Sequence, residues 1–134
     1  MKLSANATFK FGDFARIEAL IVPKLIEGAK AGSQAVYEAS QPLVPVDTGD
    51  LKGSGSKLPV EWKGKNVTGY VEYTMPYAAY VEFGTGARGA GSAGAGPFSY
   101  TMSWPGQVAQ PYLRPALDSA KDEVLQAFKD ALAK

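Results

Sequence analysis

A stripe of apolar and small residues recurs at three- and four-residue spacing over about residues 13–40 of the 134-residue chain. Its members are Phe14, Ile17, Ile21, Leu25, Ala29, Gly32 and Val36. This spacing predicts a long helix with one buried face. Asp13 is a suitable N-cap, since its carboxylate can accept hydrogen bonds from unpaired backbone N–H groups. Pro23 predicts a kink or a later helix start, and Pro42 and Pro45 end the helix.

The middle of the chain alternates apolar and polar residues, which indicates strands. The alternating residues are Leu58, Val60 and Trp62, and then Val67, Gly69, Val71 and Tyr73. The residues between the two runs, 63–66, have good turn chemistry, so we expect a hairpin. Pro59 has no N–H group, which places the first strand at a sheet edge or at an irregular point. Its partner, residues 67–74, is expected to lie further inside the sheet.

The C-terminal half adds two predicted helices and one strand. Pro76 to Phe83 has the pattern of a short helix, which Gly84 ends with a left-handed backbone. Phe98 to Trp104 is strand-like, and residues from about Pro115 to Lys134 form a second apolar stripe at helical spacing. The sequence therefore predicts one α+β domain over 1–134, with a small, mainly antiparallel sheet packed by a long N-terminal and a long C-terminal helix.

Residues of about 84–97 consist mostly of Gly, Ala and Ser. Such a segment has little to bury and high backbone freedom, which predicts a flexible loop. It does not end in Gly-Lys-Ser/Thr, and no strand and helix frame it as a phosphate-binding loop requires. Two interpretations stay open: a plain flexible loop, or a loop that becomes ordered on assembly against a neighbouring subunit.

The composition excludes several kinds of site. The chain has neither Cys nor His, so disulfides, thiolate catalysis and Cys/His zinc sites are impossible. The 14 basic and 13 acidic residues are nearly balanced and scattered, which disfavours nucleic-acid binding. No apolar stretch approaches the ~20 residues that a membrane-spanning helix needs, and no targeting segment is evident. We expect no catalytic, cofactor-binding or metal site, no membrane partner, and a protein made in the cytoplasm.

Asp47-Thr48-Gly49 matches the short signature of aspartic proteases, which need two carboxylates that share a proton. Here, however, the tripeptide follows a proline-rich linker and does not lie between apolar strands. We interpret it as a turn, in which Asp47 or Thr48 accepts hydrogen bonds from local N–H groups and Gly49 takes a positive φ.

Other carboxylates lie near an aromatic-rich centre. The aromatic residues are Tyr70, Tyr73, Tyr77, Tyr80, Phe83, Phe98, Tyr100 and Trp104; we expect most in the core and some at a subunit interface. Glu72 and Glu82 are expected to be solvated charges, and a hydrolase that uses Asp47, Glu72 or Glu82 stays an alternative. Arg114 is either solvated or pairs with Glu82 or Asp47, a role in which its guanidinium suits a subunit boundary.

Three motifs in order carry a resemblance to a known family. They are Val44 to Lys52 (Val-Pro-Val-Asp-Thr-Gly-Asp-Leu-Lys), Pro76 to Thr85 (Pro-Tyr-Ala-Ala-Tyr-Val-Glu-Phe-Gly-Thr) and Gln110 to Leu117 (Gln-Pro-Tyr-Leu-Arg-Pro-Ala-Leu). Together they resemble the gene-product-ten-like family of head–tail joining proteins of tailed phages, named after the phage Hong Kong ninety-seven. The insert from Gly86 to Trp104 is longer than the family pattern leads us to expect.

The resemblance implies a structural virion protein, not an enzyme. It would form part of the neck, as a tail-completion or tail-terminator subunit in a closed ring, with sixfold symmetry favoured over twelvefold. Its partners would be itself and neighbouring head-closure, tail-terminator or tail-tube proteins, and DNA would pass through the lumen without sequence-specific binding. The candidate interaction residues are Asp47, Thr48, Gly49, Tyr77, Tyr80, Glu82, Phe83, Arg88 and Arg114. The alternatives are a small carboxylate-dependent hydrolase and a weak nucleic-acid-binding module.

Overall fold

A computed structural model of the chain describes residues 2–8, 15–64, 66–93 and 99–134. Three strands are present in these ranges: β1 (Lys2–Thr8), β2 (Gly55–Lys63) and β3 (Asn66–Tyr73). The helices are α1 (Ala15–Ser40), α2 (Asp50–Gly53), α3 (Ala78–Phe83), α4 (Gly86–Ala93), α5 (Leu113–Ser119) and α6 (Lys121–Ala133), and a short 3-10 turn covers Gln41–Leu43. The predicted α+β fold class is confirmed: a small antiparallel sheet packs with long helices from both ends of the chain.

Helix α1 follows the predicted apolar stripe and stops where the prolines begin. It runs without interruption through Pro23, so a later helix start is wrong, while the predicted kink stays a prediction. Leu25 and Ala29 are buried just beyond the proline, and their packing offsets the backbone hydrogen bond that Pro23 cannot make. The predicted N-cap, Asp13, lies outside the described residues.

The sheet has the strand order β1–β3–β2, and both pairings are antiparallel. Strands β2 and β3 form the predicted hairpin, with β2 at an edge and β3 in the centre. The register of β2 shifts between Leu58 and Glu61, on either side of Pro59. Both expectations from this proline are therefore confirmed, since the strand is an edge strand and is irregular at that point. Strand β1 was not predicted; it pairs with β3 from Lys2 opposite Glu72 to Thr8 opposite Asn66.

Helix α1 is the central packing element. It contacts β2 and β3 on one side and α5 and α6 on another. Small residues let the helices approach closely, because a Cβ on Gly28 would lie 3.1 Å from the Cα atom of Phe128. Val36, Val71 and Leu113 belong to the main core cluster, which joins α1, the sheet and α5. None of the helices within the described ranges is long and apolar enough to cross a membrane.

The glycine-rich segment differs from the prediction. Residues 86–93 form α4, so the prediction of a loop over 84–97 is wrong for this part, and residues 94–98 lie outside the described ranges. Backbone carbonyls from a distant stretch explain the helix: Ala87 donates its N–H to the carbonyl of Trp104 (2.8 Å), and Arg88 to that of Pro105 (2.9 Å). These bonds satisfy N–H groups that the first turn of a helix leaves unpaired.

The stretch that caps α4 is not the predicted strand. Residues 99–104 form turns and irregular backbone, and Phe98 lies outside the described residues. A single antiparallel bridge between Thr85 and Gln107 holds this stretch against the start of α4. Gly84 ends α3 with a positive φ of 75°, which favours glycine as predicted, but its ψ of −179° is not that of the left-handed helical conformation. It must be glycine also for space, because a Cβ there would lie 2.6 Å from the Gln107 carbonyl oxygen.

The predicted C-terminal helix begins at Leu113, before Pro115, and is divided at Ala120 into α5 and α6. Pro115 sits in the first turn of α5, where a missing N–H group costs nothing. Ala120 has φ −89° and ψ 0°, and it is buried. The predicted second long helix is therefore present, with a local departure from helical backbone angles at Ala120; Ala120 and Val124 still donate to the carbonyls four residues earlier.

The contact between α1 and β3 predicts a stability effect at Gly69. A Cβ on Gly69 would collide with the Oγ atom of Ser33 and lie 3.0 Å from the carbonyl oxygen of Ala29. We expect Gly69→Ala to lower the free energy of unfolding by about 1–3 kcal/mol, measured by urea denaturation, because the helix must move off the sheet. The control Gly53→Ala, whose Cβ would meet no atom within 4 Å, should change stability by less than about 0.5 kcal/mol. Equal stability of the two variants would contradict this packing.

Candidate interaction groove

A buried carboxylate joins the second and third motifs. Glu82 lies in α3 and has no solvent exposure. Its Oε2 atom accepts hydrogen bonds from the backbone N–H groups of Tyr112 (2.7 Å) and Leu113 (3.0 Å), and its Oε1 atom accepts from that of Arg114 (3.0 Å). Glu82 therefore caps the N-terminus of α5 from a helix about thirty residues earlier in the chain. The expectation that Glu82 is a solvated charge is wrong.

Arg114 completes this contact. Its Nε atom donates to the Oε1 atom of Glu82 at 3.0 Å, and its Nη2 atom donates to the backbone carbonyl of Glu82 at 3.2 Å. The guanidinium carbon lies 4.5 Å from the ring centre of Phe83, a cation–π distance. The predicted pairing of Arg114 with Glu82 is confirmed, and the alternative partner, Asp47, is not used. Since both residues belong to one chain, the pair fixes α5 on α3; its place at a subunit boundary stays a prediction.

A tyrosine pair extends the contact to the end of α1. The hydroxyl of Tyr112 donates to the carbonyl of Ala78 at 2.9 Å, and its ring meets Tyr73 edge-on at 4.9 Å. The hydroxyl of Tyr73 shares a 2.6 Å hydrogen bond with Ser40 and accepts one from the Nε2 atom of Gln41 at 2.9 Å. Burial raises the pKa of both tyrosines above the usual value of 10. The end of the first helix, the sheet and the third motif are thus joined by hydrogen bonds of the two tyrosines and by the contact between their rings.

The first motif forms the predicted turn. The hydroxyl oxygen of Thr48 accepts a hydrogen bond from the N–H group of Asp50 at 3.3 Å, and Gly49 has a φ of 88°. The turn leads directly into α2, where the buried Leu51 anchors it to the core. Asp47 is exposed and does not lie between strands, which agrees with a turn rather than a protease signature.

An open groove of about 710 Å³ is lined by residues of this turn and by residues at the start of α3. We call it the motif groove. Asp47, Thr48 and Gly49 line it together with Tyr77 and Tyr80. Gln110, the first residue of the third motif, also lines it, and its backbone N–H donates to the carbonyl of Val81 at 2.8 Å. Five of the predicted interaction residues are therefore brought to one surface feature.

The other four predicted interaction residues lie elsewhere. Glu82 and Arg114 form the contact beneath the groove, and Phe83 is buried next to Ala109. Arg88 is exposed on α4 and is not among the residues that line the motif groove. Five of the predicted residues are thus accessible in the groove, Glu82, Phe83 and Arg114 belong to contacts within the fold, and Arg88 is exposed elsewhere.

Within the described ranges, the carboxylates considered for a hydrolase, Asp47, Glu72 and Glu82, lie in different surroundings. Glu82 is inaccessible, and both of its oxygens accept hydrogen bonds, so it is unsuited to act on a substrate. Glu72 lies on β3 and does not line the motif groove, which contains Asp47 and Asp50. Among the residues that the structure describes, no three carboxylates are grouped so that they could hold a metal ion. The three candidate carboxylates, Asp47, Glu72 and Glu82, therefore do not line one common groove.

Comparison of the chain with protein-family models, with curated proteins and with solved structures gave no match.

Two features of the site were not predicted from the sequence, although the sequence contains a pattern that indicates one of them. Glu82 follows the buried Ala78 by four residues, and helical residues at that spacing share a face. That periodicity indicates a buried Glu82. The contribution of Gln107 had no such signal, because it depends on the bridge between Thr85 and Gln107, which joins residues far apart in the chain.

The donor arrangement around Glu82 predicts that Glu82→Gln is destabilising. The amide of glutamine has only one oxygen, so its NH₂ group would face N–H donors that now donate to a carboxylate oxygen. Arg114 would also lose its charge partner. We expect the free energy of unfolding in urea to fall by about 2–3 kcal/mol, somewhat less than for a wholly buried pair because Arg114 is partly exposed. The control Asp118→Asn removes an exposed ion pair with Lys121 and should cost less than about 1 kcal/mol. An equal cost for both variants would show that the Glu82 contact contributes little.

The buried tyrosines predict alkaline destabilisation. In the unfolded chain a tyrosine loses its proton near pH 10, whereas Tyr112 in the native state has a raised pKa and keeps its proton. The native state then binds more protons, so stability is fully present below about pH 10 and falls as the pH rises further. Tyr112→Phe removes this group, so its stability should decline less steeply between about pH 9 and 11 in urea titrations. Parallel declines for the two proteins would contradict this assignment.

Proposed function

We propose that this chain is a structural virion protein of a tailed phage or prophage, acting in the head–tail connector as a tail-completion or tail-terminator ring subunit. One observation carries the proposal: the three motifs that resemble the head–tail joining family come together in space around the motif groove. Residues of Val44 to Lys52 and of Pro76 to Thr85 line it, Gln110 lines it from the third motif, and Glu82 accepts a hydrogen bond from Tyr112 of that motif. Motifs that are far apart in the chain are expected to meet at one surface when that surface binds a partner.

The character of the surface supports contact rather than catalysis. Val46, Tyr77 and Tyr80, which line the motif groove, have exposed fractions of 64%, 40% and 54%. Aromatic residues are enriched at protein interfaces, and exposed apolar residues grouped in a cleft are typical of partner-binding sites. Tyr80 also lines a smaller neighbouring cavity with Trp104, which extends the aromatic surface toward α4.

A ring subunit has two kinds of partner, which are neighbouring copies of the chain and the different proteins that stand next to the ring. Closed rotational symmetry needs head-to-tail contacts, in which two different patches of each subunit meet. The proposed ring has sixfold rather than twelvefold symmetry, stands next to head-closure, tail-terminator or tail-tube proteins, and encloses the path of the DNA. The place of the protein is then the neck of the virion, assembled in the cytoplasm of the bacterial host.

The test is genetic and structural, in the phage or prophage that encodes the chain. Deleting the gene should yield separate heads and tails in electron micrographs, and the wild-type gene supplied from a plasmid should restore joined particles. Tyr80→Ser should restore at least tenfold fewer joined particles, because it removes an exposed aromatic contact of the motif groove. The matched control is Leu125→Ser, at an equally exposed apolar residue of α6 that does not line the groove. Joined, infectious particles without the gene would refute the proposal.

A further inference from the structure

We propose that the motif groove binds an extended segment of a partner protein in which an arginine or lysine lies between apolar residues. The inference rests on the proposed function in one respect, since that function makes the partner a protein. It adds the chemistry of the segment that binds, which neither the fold nor the three motifs specify.

The charged residues that line the groove are all acidic. Asp47 and Asp50 line it, and none of its lining residues is basic. Both aspartates are exposed, and neither is paired with a cation among the residues that the structure describes. A partner cation would therefore find two carboxylates in the groove, which is the electrostatic complementarity that sets specificity and orientation at interfaces.

The apolar part of the groove lies beside these carboxylates. Pro45 and Val46 come just before Asp47 in the chain, and Tyr77 and Tyr80 also line the groove. A side chain that combines a long apolar stem with a charged end fits such a surface, because the stem packs on apolar groups while the charge reaches the carboxylates. Apolar residues on either side of it would contact the tyrosine rings and Val46.

Two glutamines supply groups that suit a peptide backbone. Gln107 and Gln110 line the groove, and both are exposed. Their own backbone N–H groups are held by the carbonyls of Thr85 and Val81 at 3.0 and 2.8 Å, which fixes where the side chains start. A side-chain amide both donates and accepts, so it can bond the N–H and C=O groups of an extended segment.

The experiment uses the full-length purified protein and a library of random peptides twelve residues long. After selection on the wild-type protein, we expect peptides enriched in Arg or Lys between apolar residues. The best selected peptide, labelled with fluorescein, should bind the double variant Asp47→Asn/Asp50→Asn about tenfold more weakly in anisotropy titrations, and the wild-type affinity should fall with added salt. Tyr80→Ser should weaken binding by a similar factor.

The control is the double variant Asp118→Asn/Asp122→Asn, which removes the same two charges from exposed positions outside the groove and should bind like wild type. Selected peptides without basic enrichment, or equal binding to both double variants, would overturn the inference. Sedimentation provides a second check: self-association abolished by Asp47→Asn/Asp50→Asn would make a second copy of the chain the occupant, which also overturns it.

The two proposals can fail separately. If no peptide binds the groove while the deleted gene still leaves heads and tails unjoined, the inference fails and the neck function stands. If peptides bind through Asp47 and Asp50 while particles form without the gene, the neck function fails and the binding chemistry stands.

Discussion

The buried carboxylate of Glu82 is the contact on which the arrangement of the C-terminal half depends. An unpaired carboxylate without solvent would be strongly unfavourable, so it is stable there only because backbone N–H groups and one guanidinium surround it. Those N–H groups belong to the first turn of α5, which has no internal partners for them. The carboxylate thus gains hydrogen-bond donors, and the N-terminus of α5 gains an acceptor. The distance between α3 and α5 is set by the length of these hydrogen bonds.

This contact also has consequences for the surface above it. Helix α3 carries Glu82 toward the interior and Tyr80 toward solvent, so the position of the exposed ring follows from the position of the buried carboxylate. The same helix receives a hydrogen bond from Gln110 at Val81. A binding surface on a rigid base loses less conformational entropy when a partner binds, which favours contact by a preorganised groove.

The parts of the fold that were predictable are those with a repeating local pattern. The stripe of α1, the alternation in β2 and β3, the proline at the sheet edge and the turn at Asp47-Thr48-Gly49 all depend on residues close together in the chain. The errors share a different cause. Helix α4 depends on carbonyls of Trp104 and Pro105, and the state of Glu82 depends on N–H groups of Tyr112 and Leu113. Local propensity does not reveal such long-range bonds, so it assigned a loop to α4 and a solvated charge to Glu82, although the helical spacing of Glu82 from Ala78 indicates a buried face.

Helix α4 has a dynamic consequence. Three of its eight residues are glycine, and each costs roughly 1 kcal/mol of helix stability relative to alanine. Its N-terminal N–H groups depend on an irregular stretch, and Ser92 supplies its link to Ala109 through a single 2.8 Å hydrogen bond. Local opening of this helix should therefore need far less free energy than global unfolding, so its amide hydrogens would exchange with solvent long before those of α1. The chain thus contains a segment that can be ordered and released while the buried Glu82 contact and the sheet stay intact.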